Sequence, residues 1–398
     1  MTNRALLLLV LLTPLQAQAT GKFDPTHAVE CETEHWAKTE LLEDTDEHMV
    51  QEPFTDLVAH SEPELVKAFG SKTPPSSKFL LHYAPGWDTP EAATPVLLVH
   101  GAGLTANHCF TDHPIMQPYE GLANRLARGK RACFAITFAH PHGDNFIQAE
   151  CVADAIARIK QVTGAAKVDL VAHSKGGMST RIYVSDAGPS WATHYRGDVR
   201  RYVMLGTPNG GIDVSFAYPN LNYWILENKS PAPLSWTRCL HYGVWKDFDS
   251  RTIYHDGWFP GQAQMVARWD QRYGRTTAKG QFDVDATYEG GRGTVSVSRG
   301  IDAAIEDGGN LIAKLQTKGV DPDIELAVLA GTSPWIMHMV GERRAPSDGL
   351  LLVASAFSTD GLTRRGAKLL RKDLRALNHL QLVYDPRAND WVLEVLDK

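Results

Sequence analysis

The sequence predicts an α/β protein, a mainly parallel sheet flanked by helices, with a large aromatic-rich cap or lid inserted late in the chain. Three observations lead there. Short apolar runs alternate with helix-length stretches, the pattern of strands joined by crossover helices. The runs are apolar at nearly every position, as strands buried on both faces are. Between the turn Gly206-Thr207-Pro208 and the next clear strand more than a hundred residues intervene, far beyond an ordinary crossover.

The 398 residues are 43% hydrophobic and 22% charged, enough for a substantial core in one large domain with insertions. A net charge of -6 and the lack of any long Lys/Arg run leave no basic field, so nucleic acid is not an expected partner. Residues 1–19 carry Arg4, an apolar stretch over 5–12 and the small-residue site Ala17-Gln18-Ala19, which reads as a signal peptide cleaved after Ala19. That stretch is well short of the roughly 20 apolar residues a membrane span needs. The mature chain is therefore expected to be secreted or periplasmic, with no transmembrane anchor after signal removal.

Residues 20–77 form an acidic N-terminal arm, rich in carboxylates and nearly free of Lys and Arg between Asp24 and Glu64. Such composition predicts a solvated, loosely structured or wrapping segment of little functional weight. The organised domain, 78–398, follows the punctuation KTPPSS. Its strands are expected at 78–84 (KFLLHYA), 95–100 (PVLLVH), 132–138 (ACFAITF), 168–172 (VDLVA) and 201–205 (RYVML). Helices are expected over 145–163 and from Lys175 onward. The cap occupies about 211–320, and its first 50 residues, 211–260, hold 11 aromatics, a density that suits either a ligand pocket or the core of an inserted subdomain. Strands at 324–330 (IELAVLA) and 367–371 complete the pattern. Cys31, Cys109, Cys133, Cys151 and Cys239 predict one or two disulfides in an oxidising compartment, with at least one thiol left over. No CxxC pair points to zinc or redox chemistry.

The sharpest local signal is VDLVAHSKGG over 168–177, an apolar strand running into a small-x-Ser-x-Gly turn and then a helix. Such a turn forces Ser174 clear of the backbone, and small residues at Ala172 and Gly176 let strand and helix approach. The plainer role for Ser174 is a helix N-cap. Upstream, strand 95–99 ends in His100-Gly101-Ala102-Gly103, where backbone N–H groups of Ala102 and Lys175 could meet an oxygen that becomes negative when Ser174 attacks a carbonyl. The Lys175 side chain reads as a solvated charge. A nucleophilic serine needs a base, and the base an orienting acid, in the order Ser, Asp or Glu, His. Asp348, in PSDGL after strand 324–330, and His379, in LNHL, fit that order. In isolation each reads more readily as a turn-forming Asp and a polar loop His; found in this order after the expected strands, they outweigh those readings. His140, His142 and Asp144 (HPHGD) are too few for a structural metal site and read as polar surface groups.

AHSKGG, LVHGAG, GTPNGG, SDGLLLVASA and NHLQLVYDP together resemble the bacterial true-lipase branch of the α/β-hydrolase superfamily, from about Phe79 to the C-terminus. The resemblance implies an α/β-hydrolase fold, with Ser174 as nucleophile, Asp348 as acid, His379 as base, main-chain donors at Ala102 and Lys175, and a lid over an acyl pocket. It implies a secreted lipase or esterase acting on an ester or lipid substrate, at a lipid-water or polymer interface; some relatives bind calcium or zinc, but this sequence matches neither site, so no metal and no cofactor is expected. Tyr223, Trp224 and Trp236 of the cap are the candidate substrate-binding residues. The rival readings are an extracellular polyester depolymerase, an acyltransferase, and a non-catalytic binding protein of the same fold.

Overall fold

In the computed structural model the described residues are 23–24, 27–52, 54, 59–92, 94–112, 119–218, 238–241, 244–247, 260–275, 283–293, 297–336 and 339–398. The expected signal peptide, 1–19, lies outside them, as does most of the aromatic stretch of the cap. Nine strands make one sheet: β1 (Val29–Cys31), β2 (Lys38–Glu43), β3 (Lys78–Tyr83), β4 (Val96–Val99), β5 (Cys133–Phe138), β6 (Val168–His173), β7 (Val199–Leu205), β8 (Glu325–Gly331) and β9 (Lys368–Arg375). Their spatial order is β1-β2-β3-β5-β4-β6-β7-β8-β9. The pairs β1/β2, β2/β3 and β3/β5 are antiparallel, and every pair from β5 to β9 is parallel. The sheet is thus mixed and mostly parallel, as the apolar runs predict.

The chain leaves β4 toward β5 on one side and returns to β6 on the other. This reversal opens a crevice outside the carboxyl ends of the strands, the place where open α/β sheets bind ligands.

Six of the helices pack against the sheet: α1 (Pro63–Phe69), α2 (Ala106–Phe110), α3 (Leu122–Arg128), α4 (Asn145–Thr163), α5 (Lys175–Val184) and α6 (Pro386–Leu396). Alternate strand residues point to opposite faces. Leu97, Phe134, Leu170 and Val328 pack with Ile156 of α4 and Tyr183 of α5. Leu98, Ala135, Val171 and Leu329 pack with Leu126 of α3 and Trp391 of α6. Both faces are covered, which is why the central strands β4 to β6 are apolar at nearly every position. α4 spans the very residues expected, because Asp144 accepts the N–H groups of Phe146 and Ile147 at one end and Gly164, at φ 71°, stops it at the other.

Two expectations need correction. The acidic arm is not simply solvated: β2 pairs with β3 along its whole length, and Glu40, Asp44 and Glu52 are buried. Burial alone would raise the Glu40 carboxyl, but bonds from Arg158 at 2.7 and 2.8 Å and from Lys38 outweigh it and hold it down at about 2. The expected disulfides are not formed among the described residues, where Cys31, Cys109, Cys133 and Cys151 are free thiols. Cys151 packs on one face of the sheet, Cys109 and Cys133 on the other, and Cys31 in a satellite cluster under α1. Two of the 11 cap aromatics, Phe216 and Tyr218, are core residues, packed with Ile212 and Met265. Among the described residues no helix is long and apolar enough to cross a membrane.

Candidate active site

The turn after β6 is sharp and strained. Ser174 has φ 53° and ψ −125°, a conformation that a residue with a Cβ seldom adopts. Its N–H still bonds to Leu205 O at 2.9 Å, so the turn is held from β7. A Cβ on Gly176 would strike the carbonyl of His100, and one on Gly177 would strike the Thr207 side chain. Those two glycines let α5 start this close to β4 and β7. Although Ser174 occupies the N-cap position of α5, its side chain makes no capping bond.

The hydroxyl is used elsewhere. Ser174 Oγ lies 2.8 Å from His379 Nε2, and His379 Nδ1 lies 2.7 Å from Asp348 Oδ2. A carboxylate only accepts, so the proton of the neutral imidazole sits on Nδ1 and Nε2 is left to accept from the serine O–H. Asp348 Oδ1 accepts the N–H groups of Leu351 at 2.7 Å and Leu350 at 3.1 Å, and the Asp348 carbonyl accepts the His379 N–H at 2.8 Å. All three side chains are nearly buried. Their loops follow β6, β8 and β9, so they converge at the carboxyl ends of three parallel strands, Ser174 beside the switch point. Gly206, at φ 56°, backs this chain: a Cβ there would lie 3.2 Å from His379 Nδ1 and 3.3 Å from Asp348 Oδ2.

Gly101 sits against the serine, where an added Cβ would come within 3.0 Å of Ser174 Cβ. The next amide, that of Ala102, has no acceptor among the described residues. Lys175 opens α5, and the first N–H groups of a helix have no carbonyl one turn earlier to bond. Ala102 thus follows a glycine that meets Ser174, and Lys175 directly follows Ser174 in the chain. The Lys175 side chain, expected in solvent, is instead completely buried, because the loop after β5 and the segment from Gly261 fold over it.

The sequence reading passed over His173. Its Nε2–H donates to the His379 carbonyl at 3.0 Å, tying the turn at Ser174 to the loop that carries His379. Burial, reinforced by the neighbouring His379, pushes its pKa well below the usual value, so the ring is neutral. Adjacency to Ser174 was the signal that could have found it. Of the HPHGD residues, Asp144 caps α4 and takes the amide of Gln264 at 2.6 Å, and His140 Nδ1 accepts the His142 N–H at 3.1 Å. Among the described residues no cluster fits a metal ion. Tyr223, Trp224 and Trp236 lie outside the described residues.

Elbow, sheet and the chain order Ser, Asp, His are those of the α/β-hydrolase fold. No family model matches the chain. Similar solved structures include a mature lipase of Bacillus licheniformis, 16% identical with a TM-score of 0.40, covering 78% of this chain and 94% of that one. A thermostable carboxyl esterase of Bacillus coagulans is 13% identical with a TM-score of 0.41, over 80% and 93%. A naproxen esterase of Bacillus subtilis is 12% identical with a TM-score of 0.38, over 80% and 87%.

Proposed function

We propose that the protein is an exported carboxylic ester hydrolase that works through an acyl-enzyme on Ser174. The observation that carries this reading is the unbroken hydrogen-bond chain from Asp348 through His379 to Ser174, placed on a strained turn. In the first step Ser174 Oγ bonds to the carbonyl carbon while its proton passes to His379 Nε2. The imidazolium is stabilised by Asp348, and then gives that proton to the departing alcohol oxygen as the ester C–O bond breaks. Water then adds to the acyl carbon, losing a proton to His379, and the acid leaves as that proton returns to Ser174. The amides of Ala102 and Lys175 donate to the oxygen that carries charge in both steps, each worth about 3 kcal/mol of the barrier. The apolar leader at residues 5–12 supports export, and the aromatic stretch after Gly211 supports an apolar acyl side.

The test is Ser174→Ala assayed on p-nitrophenyl esters of several chain lengths. Turnover falls by about 10⁶-fold if the serine is the nucleophile; undiminished turnover overturns the assignment.

One observation favours a second reading, a depolymerase working on insoluble polyester. Trp335 is 57% exposed, and its carbonyl accepts from the side chain of Asn378, the residue before His379. An exposed ring on a segment bonded to the residue before His379 is one that a solid apolar surface could meet. Comparing soluble product released from polymer film with that from emulsified triglyceride separates the two, and Trp335→Ala lowers only the film activity if the ring meets polymer.

A further inference from the structure

The Lys175 side chain ends where a cation is costly. It is wholly shielded from water, and its ammonium donates to Gln148 Oε1 in the first turns of α4. Gln148 is itself held, its amide donating to the His140 carbonyl at 2.8 Å. On another side Gly261 closes in: a Cβ there would lie 2.5 Å from Lys175 Cε and 2.8 Å from Nζ. The countercharges are the carboxylates of Glu52 and Asp144. Glu52 belongs to the N-terminal segment, is 5% exposed, and accepts from the Asp144 N–H at 2.6 Å and the Ser76 hydroxyl at 3.0 Å. Four parts of the chain thus meet around one ammonium: the N-terminal segment, the loop before α4, α4 itself and the segment from Gly261.

We propose that the Lys175 side chain, anchored on Gln148 and countered by Glu52, is a positioning group that fixes its own backbone N–H beside Ser174. The N-terminal segment thereby becomes part of the apparatus that stabilises the charged oxygen. This rests on the reading of Ser174 and of the Lys175 amide given above. A donor helps a reaction to the extent that it already points at the developing charge. The residue that carries the donor here is pinned at the far end of its side chain as well as by α5, so the amide cannot swing when the oxygen becomes negative. Burial pushes the ammonium down to about 7 and the Glu52 carboxyl up to about 7, each opposed by the other's charge. The titratable groups whose charge acts on Lys175 are Glu52 from the N-terminal segment and Asp144 from the loop before α4, and Lys175 in turn acts on His100 at the end of β4.

The experiment measures kcat and KM for p-nitrophenyl butyrate from pH 5.5 to 10 on the full chain and on Lys175→Met, Glu52→Gln, Gln148→Leu and the Lys175→Met/Glu52→Gln double variant. Lys175→Met lowers kcat by roughly 10- to 100-fold with KM little changed, the mark of an interaction made in the transition state. Glu52→Gln removes a charge that holds Lys175 protonated, so the alkaline limb of kcat moves to lower pH. In the double variant kcat is no lower than in Lys175→Met alone, because Glu52 acts through the ammonium. Gln148→Leu keeps both charges and loses kcat in the same sense, which serves if Lys175→Met does not fold. Wild-type kcat in folded Lys175→Met or Gln148→Leu, or losses that simply add in the double variant, overturns the proposal. Labelling of wild type by a fluorophosphonate probe separates the two levels. An unlabelled, inactive wild type sinks the Ser174 reading and this one with it; a labelled, active wild type with unaffected variants sinks this one alone.

Discussion

Asp348 has no idle oxygen: Oδ2 takes the imidazole N–H and Oδ1 takes two backbone N–H groups. Replacing it by Asn keeps the shape and ruins the direction, since an amide nitrogen facing His379 favours the tautomer whose Nε2 carries the proton and cannot accept from Ser174. Asp348→Asn is expected to lower kcat by about 10⁴-fold, read by steady-state hydrolysis at neutral pH, with KM nearly unchanged. A loss below tenfold would mean that the carboxylate does not orient the base. That Ser174, Asp348 and His379 come together was legible in the sequence because motif, strand context and chain order act jointly. The buried tail of Lys175 and the contacts of Glu52 and His173 were not, since whether a side chain is covered depends on what folds over it from elsewhere. Nothing in HSKGG says that Gly261 will close on the ammonium.

At the scale of elements, the elbow depends on how closely α5 approaches its neighbours. Gly176 faces a main-chain carbonyl of the strand next door, and Gly177 faces a side chain. A backbone cannot step aside as a side chain can, so Gly176→Ala is expected to cost more than Gly177→Ala, the latter about 1–3 kcal/mol, and Thr207→Ser should recover part of the Gly177→Ala loss but none of the other. Urea unfolding of the four variants checks this; equal losses at the two glycines would show that the strands spread to absorb either methyl. The parallel strands and α4 were readable because their signals are local: apolar runs, a capping Asp, a terminating Gly. β2 was hidden. Lys38, Glu40 and Glu43 make KTELLE look like a solvated run, whereas Glu40 is matched by Arg158 of α4, a partner 118 positions away.

For the molecule as a whole, the mix of buried acids sets a slope of stability against pH. Asp154 in α4 is completely shielded, and burial, with Asp44 and Glu150 nearby, pushes its carboxyl well above the usual range while Arg196 opposes. The folded state therefore keeps a proton there that the unfolded chain gives up near pH 4. The stabilisation is complete below that value and is lost as pH rises through the folded pKa. Asp154→Asn should accordingly raise the melting temperature at pH 8 and leave it almost unchanged at pH 4, as thermal unfolding at both would show. An equal gain at both pH values would place the effect in packing instead of ionisation. The bond from His379 to Ser174 joins residues 205 positions apart. A contact of that separation closes a very long loop and belongs among the last to form as the chain folds. The turn at Ser174 needs only β4, β6, β7 and α5, but the proton acceptor arrives only when the loop beyond β9 has docked. Until that loop docks, Ser174 lacks the acceptor that its proposed role requires, and the specific activity of a preparation would count only the molecules in which it has docked.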